Sequence, residues 1–336
     1  MGADFTFAAG YTLKGKNKKA NEMVAEAVNN AKNADVALVF VGLTDDYETE
    51  GNDRSHINLP PIHNTLVEEV LKVNPNTIVV LSGGASVTMP WADKVPAILN
   101  MFLTGQAGGS AVCDIIFGDV NPSGKLAETY PIALEDNSSY NFFPGTSVSV
   151  EYRESVYVGY KYYDTAKKEV AFPFGHGLSY TTFEYSDVKV SSDKIKDTDT
   201  VTVSFKIKNT GAVDGAEVAQ IYVNDVESTI YRPVKELRAF KKVFLKAGEE
   251  TEVSVELDKR AFAYYNVELG DWHVESGDFK ILVGASSRDI RLETTVFVES
   301  TVEAEIPDYK ASAPCYYGAN ISAVKDEEFV AVYGKA

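Results

Sequence analysis

Cysteine is nearly absent from this 336-residue chain: Cys113 and Cys315 are the only two, far apart in sequence. Two thiols so placed make neither a disulfide framework nor a zinc-ligand spacing. Basic residues are short as well, with 32 Lys and Arg against 49 Asp and Glu, a formal net charge of −17. So acidic a surface repels phosphate backbones and anionic headgroups, which argues against nucleic acid and membrane as partners. No apolar run reaches membrane-spanning length, and the first residues lack a basic-then-apolar leader, so a cytoplasmic location is expected. Histidine is scarce too. His56 and His63 could share one helix face, but Pro60 and Pro61 lie between them, which disfavours a zinc pair. Otherwise the composition is that of a globular protein, 45% hydrophobic and 24% charged, at a length that favours two domains.

Between residues 21 and 120, helical and strand-like patterns alternate. Residues 21–33 put Met23, Val24, Ala27, Val28 and Ala31 on one helical face. The continuous apolar run 35–42 predicts a buried parallel strand, 61–73 a second amphipathic helix, and 77–81 a second buried strand. A helix around Trp91, a strand over 97–102 and a helix over 110–117 complete the series. Cys113, in the apolar stretch 111–117, reads as a small core residue. Such alternation predicts an open, mostly parallel sheet covered on both faces, with ligands bound beyond the carboxyl ends of its strands.

The pattern loosens between 119 and 182 into a connector rich in proline, glycine and tyrosine. After Phe183 the period becomes two. Residues 200–208, 216–223, 236–245, 250–257 and 278–283 all alternate, with glycine-containing turns between them. This predicts a β-sandwich of fibronectin type III kind, preferred over the immunoglobulin kind because paired cysteines are lacking. The expected organisation is therefore an α/β domain over 1–182, a sandwich over 183–299, and a tail over 300–336 that reads as a linker without a core of its own.

Chemistry concentrates after the first strand. Asp45, Asp46, Glu48, Glu50 and Asp53 fall within nine positions, with one cation, Arg54, directly after them. Crowded carboxylates favour a retained proton on one member, as a general acid needs. A solvated acidic loop is the bland alternative. A metal site is another, although the order of residues does not follow an EF-hand. Ser82-Gly83-Gly84 lacks the lysine and spacing of a phosphate loop and reads as a tight strand-to-loop turn. His176 and His273 read as structural. Trp91, Trp272 and the tyrosines of 157–163 could stack on sugars, but fit core positions better.

The stretch ETEGNDRSHINLP (48–60) closely resembles the acid/base loop of family 3 glycoside hydrolases, E-x-E-G-x-D-R followed by L-P. The resemblance continues in order through NPNTIVV (74–80), GQAGG (105–109), DVNPSGKL (119–126), FPFGHGLSYTTF (172–183) and RPVKEL (232–237). It covers roughly residues 20–298. It implies an α/β-sandwich domain, here incomplete at its N-terminus, followed by a fibronectin-like domain, both normally joined to a (β/α)8 barrel. The family nucleophile is an aspartate on that barrel, near an S-D-W motif that does not occur here. The implied activity is that of a retaining β-glucosidase acting on β-glucosides or related oligosaccharides. It needs no cofactor and no metal, and its barrel partner would supply the nucleophile. On the family pattern the acid/base is Glu50, with Glu48 as the alternative and Asp53 and Arg54 as loop support. If Glu50 paired with Arg54 to brace the loop, Glu48 would be left to do the chemistry. Two other readings stay open: a non-catalytic carbohydrate-binding or scaffolding module, and a metal-dependent α/β enzyme using the Asp45–Asp53 cluster.

Overall fold

A computed structural model describes residues 3–13 and 17–334, and the chain falls into two compact units, Met1–Asp119 and Val120–Ala336. In the first, helix α1 (Asn17–Lys32) precedes strand β1 (Ala37–Gly42), helix α2 (Pro61–Val73), strand β2 (Thr77–Ser82), strand β3 (Ala97–Asn100) and helix α3 (Gly108–Ile116). The strands pair in parallel in the order β1-β2-β3. Proline at the first position of α2 suits a helix start, since its missing N–H would have no intrahelical partner there. The helix stops at Asn74, whose buried side-chain amide donates to the carbonyls of Ala31 and Ala34 at 2.9 Å each. That one side chain ties the end of α1 to the end of α2.

Helix α2 packs on β1 and β2, and α1 packs on α2. The helix-facing residues of β1, Ala37, Val39 and Val41, are buried, whereas Leu38 and Phe40 are 42% and 54% exposed. The expectation of a sheet covered on both faces is therefore corrected for β1, an edge strand whose second apolar face is without cover among the described residues of this unit. Two further corrections follow from local chemistry. The helix expected around Trp91 is only a turn, closed by Ala92 N–H to Met89 O at 3.0 Å and Lys94 N–H to Trp91 O at 2.9 Å. Pro90 opens it, and Pro96 drives Val95 out of the helical region, so too few residues remain to nucleate a helix. Trp91 itself is fully buried, its indole N–H donating to Asn64 Oδ1 at 2.9 Å. Cys113 is exposed rather than a core residue, because α3 buries only Val112. Among the described residues no helix is long and apolar enough to cross a membrane.

The second unit opens with the connector. Strands β4 (Tyr130–Pro131) and β5 (Val170–Phe172) pair antiparallel around helix α4 (Tyr160–Thr165). Then come β6 (Phe183–Val190), β7 (Lys194–Lys196), β8 (Val201–Asn209), β9 (Gly215–Asp225), β10 (Glu236–Leu245) and β11 (Glu250–Leu257). Helix α5 (Lys259–Phe262), the hairpin β12 (Tyr264–Asn266) and β13 (Asp271–His273), and strands β14 (Gly277–Gly284) and β15 (Ile290–Glu299) complete the domain. Two sheets form, β10-β9-β14-β15-β7 and β11-β8-β6. Alternate residues such as Val203, Phe205, Ile207, Ile221, Phe279 and Ile281 are buried in one core, as expected for a sandwich.

The connector is fastened to this sandwich by polar contacts. Lys125 Nζ pairs with Glu217 at 3.0 Å, Gln220 donates to Gly175 O at 3.0 Å, and Asp164 binds both Lys235 and Arg288. The tail shares the arrangement. Tyr316, Ile321 and Val324 are buried in a cluster with Tyr157, Tyr162, Tyr163 and Tyr231. Tyr157 donates to the Tyr316 carbonyl at 2.5 Å, and Tyr316 donates to the Arg153 carbonyl at 2.9 Å. The Arg153 guanidinium lies over the rings of Phe142 and Phe329 and pairs with Glu151 and Asp326. Phe329 and Asp326 belong to helix α6 (Asp326–Tyr333). The tail expected as a linker thus contributes buried residues to the connector's core.

Two predictions follow. Burial lowers the His63 pKa from 6.5 to about 4. Its Nδ1 accepts the Gly42 N–H at 3.4 Å, and among the described residues its Nε2 is buried without a partner. An unfolded histidine binds a proton that the folded one refuses. The stabilisation, on the order of 3 kcal/mol, is therefore complete above pH 6.5 and lost as pH falls towards 4. Urea unfolding of the first unit, followed by Trp91 fluorescence, should weaken over that window, and His63→Leu should flatten the dependence. Secondly, Tyr316→Ala should cost about 3–5 kcal/mol of second-unit stability in denaturant unfolding, the range for a buried aromatic. A tail acting as a mere linker would tolerate it.

Candidate active site

The acidic loop leaves the carboxyl end of β1 beside the turn that leaves β2. Gly42 stands opposite Ser82 in the parallel register, so close that a Cβ on Gly42 would lie 1.9 Å from the Ser82 carbonyl oxygen. Leu43 N–H donates to that carbonyl at 2.9 Å, continuing the ladder by one bond. Thr44 O then accepts from the amides of Tyr47 and Glu48, at 2.7 and 2.9 Å, and turns the chain. Thr49 and Asn52 bridge antiparallel, which leaves Glu50 and Gly51 at the tip of a tight turn. The return limb ends where Thr88 N–H donates to Ile57 O at 2.8 Å and Thr88 Oγ1 donates to Asn58 Oδ1 at 2.7 Å.

Side chains add two more ties to the same turn. The half-buried Glu48 accepts the Gly84 N–H through Oε2 at 2.9 Å. Arg54 donates through Nη2 to Ser86 O at 3.3 Å, while its Nη1 is buried without a partner among the described residues. The turn is itself fixed to the end of β3: Gly83 N–H and Ser82 Oγ both donate to Phe102 O, at 3.2 and 3.0 Å. Ser82-Gly83-Gly84 is thus the tight turn its sequence suggests, and it links all three strand exits.

The two glutamates are treated differently. Glu50 is exposed, and among the described residues its carboxylate makes no hydrogen bond or ion pair. The alternative pairing of Glu50 with Arg54 is not formed; Arg54 turns to a backbone carbonyl instead, and Glu48 is the glutamate that braces the loop. Asp53 is exposed and likewise without a hydrogen-bond partner among the described residues. No group of three or more His, Cys, Asp or Glu side chains among the described residues converges as a metal would require, so the Asp45–Asp53 cluster forms no ligand set. Gly84 and Ser86 are the participants that sequence reasoning missed. The paired glycines signal a backbone that can be closely approached, but nothing in the sequence says that Glu48 makes the approach.

Comparison with known proteins matches the glycosyl hydrolase family 3 C-terminal domain to residues 4–180 and a fibronectin type III-like domain to residues 217–287. Thermostable beta-glucosidase B of Acetivibrio thermocellus is 52% identical over 300 residues, which are 89% of this chain and 40% of that protein. An exo-alpha-(1->6)-L-arabinopyranosidase of Bifidobacterium breve is 47% identical over 87% of this chain and 38% of its own length. Among solved structures, the Bifidobacterium adolescentis GH3 beta-glucosidase superposes with a TM-score of 0.84 at 43% identity, over 95% of this chain and 48% of that one. The chain therefore spans less than half the length of these relatives. With an α/β unit, a fibronectin-like sandwich and the ordered motifs between them all matched, the chain belongs to glycoside hydrolase family 3.

Proposed function

We propose that this chain is part of a retaining β-glucosidase that removes terminal non-reducing β-D-glucosyl residues, and that Glu50 is its general acid/base. The observation that carries the reading is the placement of Glu50: an exposed, unengaged carboxylate at the tip of a braced turn, beyond the carboxyl ends of a parallel sheet. An acid/base must reach the glycosidic oxygen, give up a proton, and later take one from water, so a carboxylate committed to a structural bond would serve badly. In the first step an aspartate outside this chain attacks the anomeric carbon while Glu50 protonates the leaving oxygen. In the second, Glu50 deprotonates the water that opens the glycosyl-enzyme. The arabinopyranosidase relatives keep arabinosides within the substrate class.

The nucleophile belongs to a (β/α)8 barrel, in the same polypeptide or a partner chain. Two facts support such a partner. The relatives are more than twice as long as the matched region, and the connector exposes Phe143, Val148, Val150 and Tyr152 together, more apolar side chain than a self-sufficient surface usually shows.

The purified 336-residue chain should therefore leave aryl β-glucosides intact, since it has a proton donor without a nucleophile; robust turnover by it alone would defeat the proposal. In the complete enzyme, Glu50→Ala should slow hydrolysis of poor leaving groups by roughly 10²–10⁴-fold. It should spare the first step with activated aryl glucosides and regain turnover with added azide. Steady-state and burst kinetics on the two substrate types check this.

A further inference from the structure

We propose that Glu48 is the positioning residue for the catalytic turn, and that Gly84 is glycine in order to receive it; this rests on the assignment of Glu50 as acid/base. The backbone holds the outgoing limb of the loop to the β2 turn at Leu43, and the return limb is held where Arg54 reaches Ser86 and Ile57 meets Thr88. The Thr44 turn and the Thr49–Asn52 bridge are internal to the loop: they give it shape but not location. Between Leu43 and Arg54, Glu48 reaches out of the loop and fixes it to the strand-end framework, its Oε2 accepting the Gly84 amide at 2.9 Å. Glu48 lies two residues before Glu50, so a shift there passes almost undiminished to the turn tip.

The receiving side is shaped for this contact. A Cβ on residue 84 would stand 2.7 Å from Glu48 Oε1, too close to leave it in place, and a tight 3.1 Å from Leu103 Cδ1. Any side chain at 84 pushes the carboxylate away from the amide it binds. Residue 84 also continues a turn tied to Phe102 through Gly83 and Ser82, so the amide is presented from a framework common to all three strand exits. A carboxylate makes a stronger acceptor for an N–H than a neutral oxygen, which suits a bond that locates a loop rather than fills a core. The division of labour follows. Glu48 is committed to a backbone donor and sets the distance; Glu50 is uncommitted and reacts.

The test uses the complete enzyme carrying this chain, assayed on glucosides with poor and with activated leaving groups. Glu48→Ala and Gly84→Ala should each lower kcat on poor leaving groups on the order of 10–100-fold, as expected when a proton donor is displaced by about an ångström, with KM little changed. The double variant should be no worse than the poorer single one, because both remove the same bond. Glu48→Gln keeps an acceptor oxygen and should stay within about threefold of wild type, and azide should not rescue Glu48→Ala. A uniform loss of activity on all substrates would mark a merely structural role and overturn the proposal, as would multiplying effects of the two alanine substitutions. If Glu48→Gln were as poor as Glu48→Ala and azide rescued both, Glu48 would be the acid/base itself, and the Glu50 assignment would fall as well. Azide rescue of Glu50→Ala with uncoupled Glu48 and Gly84 would overturn the positioning role alone.

Discussion

The close approach of Gly42 to Ser82 governs what the rest of the first unit can do. A parallel pair so close that a Cβ on Gly42 would lie 1.9 Å from the Ser82 carbonyl oxygen brings two strand exits to the same level, side by side. Leu43 can then reach the Ser82 carbonyl, and the loop that follows runs beside the β2 turn instead of into solvent. Gly42 also donates to His63, which holds the start of α2 against the same point. Strand, turn and helix thus converge where the acidic loop begins. A residue with a side chain at position 42 would separate the exits and remove the surface to which the loop is tied.

The loop combines rigidity and freedom in a way that suits acid/base chemistry. Its limbs are tied by backbone and side-chain bonds at Leu43, Glu48, Arg54 and Ile57, while its tip offers one carboxylate that has no partner among the described residues. A group that passes a proton twice needs a fixed address and an unoccupied lone pair. The second unit has a different physical character. Its sandwich closes on a continuous apolar core, and a cluster of tyrosines clamps connector and tail together through hydrogen bonds to backbone carbonyls. Burial there is extensive, whereas β1 in the first unit leaves an apolar face open.

Much of this could be read from residues alone, where local chemistry and periodicity agree. Helix α2 runs from Pro61 to Val73 as its apolar spacing and flanking Asn74-Pro75-Asn76 require, and the alternating strands Glu236–Leu245 and Glu250–Leu257 keep their expected bounds. What escaped depends on neighbours that periodicity does not encode. Leu38, Phe40 and Cys113 sit in apolar runs that look buried, yet burial requires a covering layer, which the described residues of this unit do not supply. The turn at Trp91 was hidden because an apolar aromatic stretch suggests a helix while the two prolines forbid one. The tail's packing is not legible in its own sequence because its tyrosines find partners about 160 residues away, as Tyr316 does with Arg153 and Tyr157. In the site, the residue pattern offers Glu50 and Glu48 together; only the geometry separates a glutamate held by a backbone amide from one without a partner among the described residues.

The central claim is that the glutamate at the turn tip faces the nucleophile across the sugar. The most direct measurement is a crystal structure of the complete enzyme trapped as its glycosyl-enzyme with a slow fluorinated glucoside. The account predicts the Glu50 carboxyl at about 5–5.5 Å from the nucleophilic carboxyl, on the leaving-group side of the anomeric carbon, with Glu48 still on the Gly84 amide. Glu48 at that distance instead, with Glu50 turned to solvent, would contradict it.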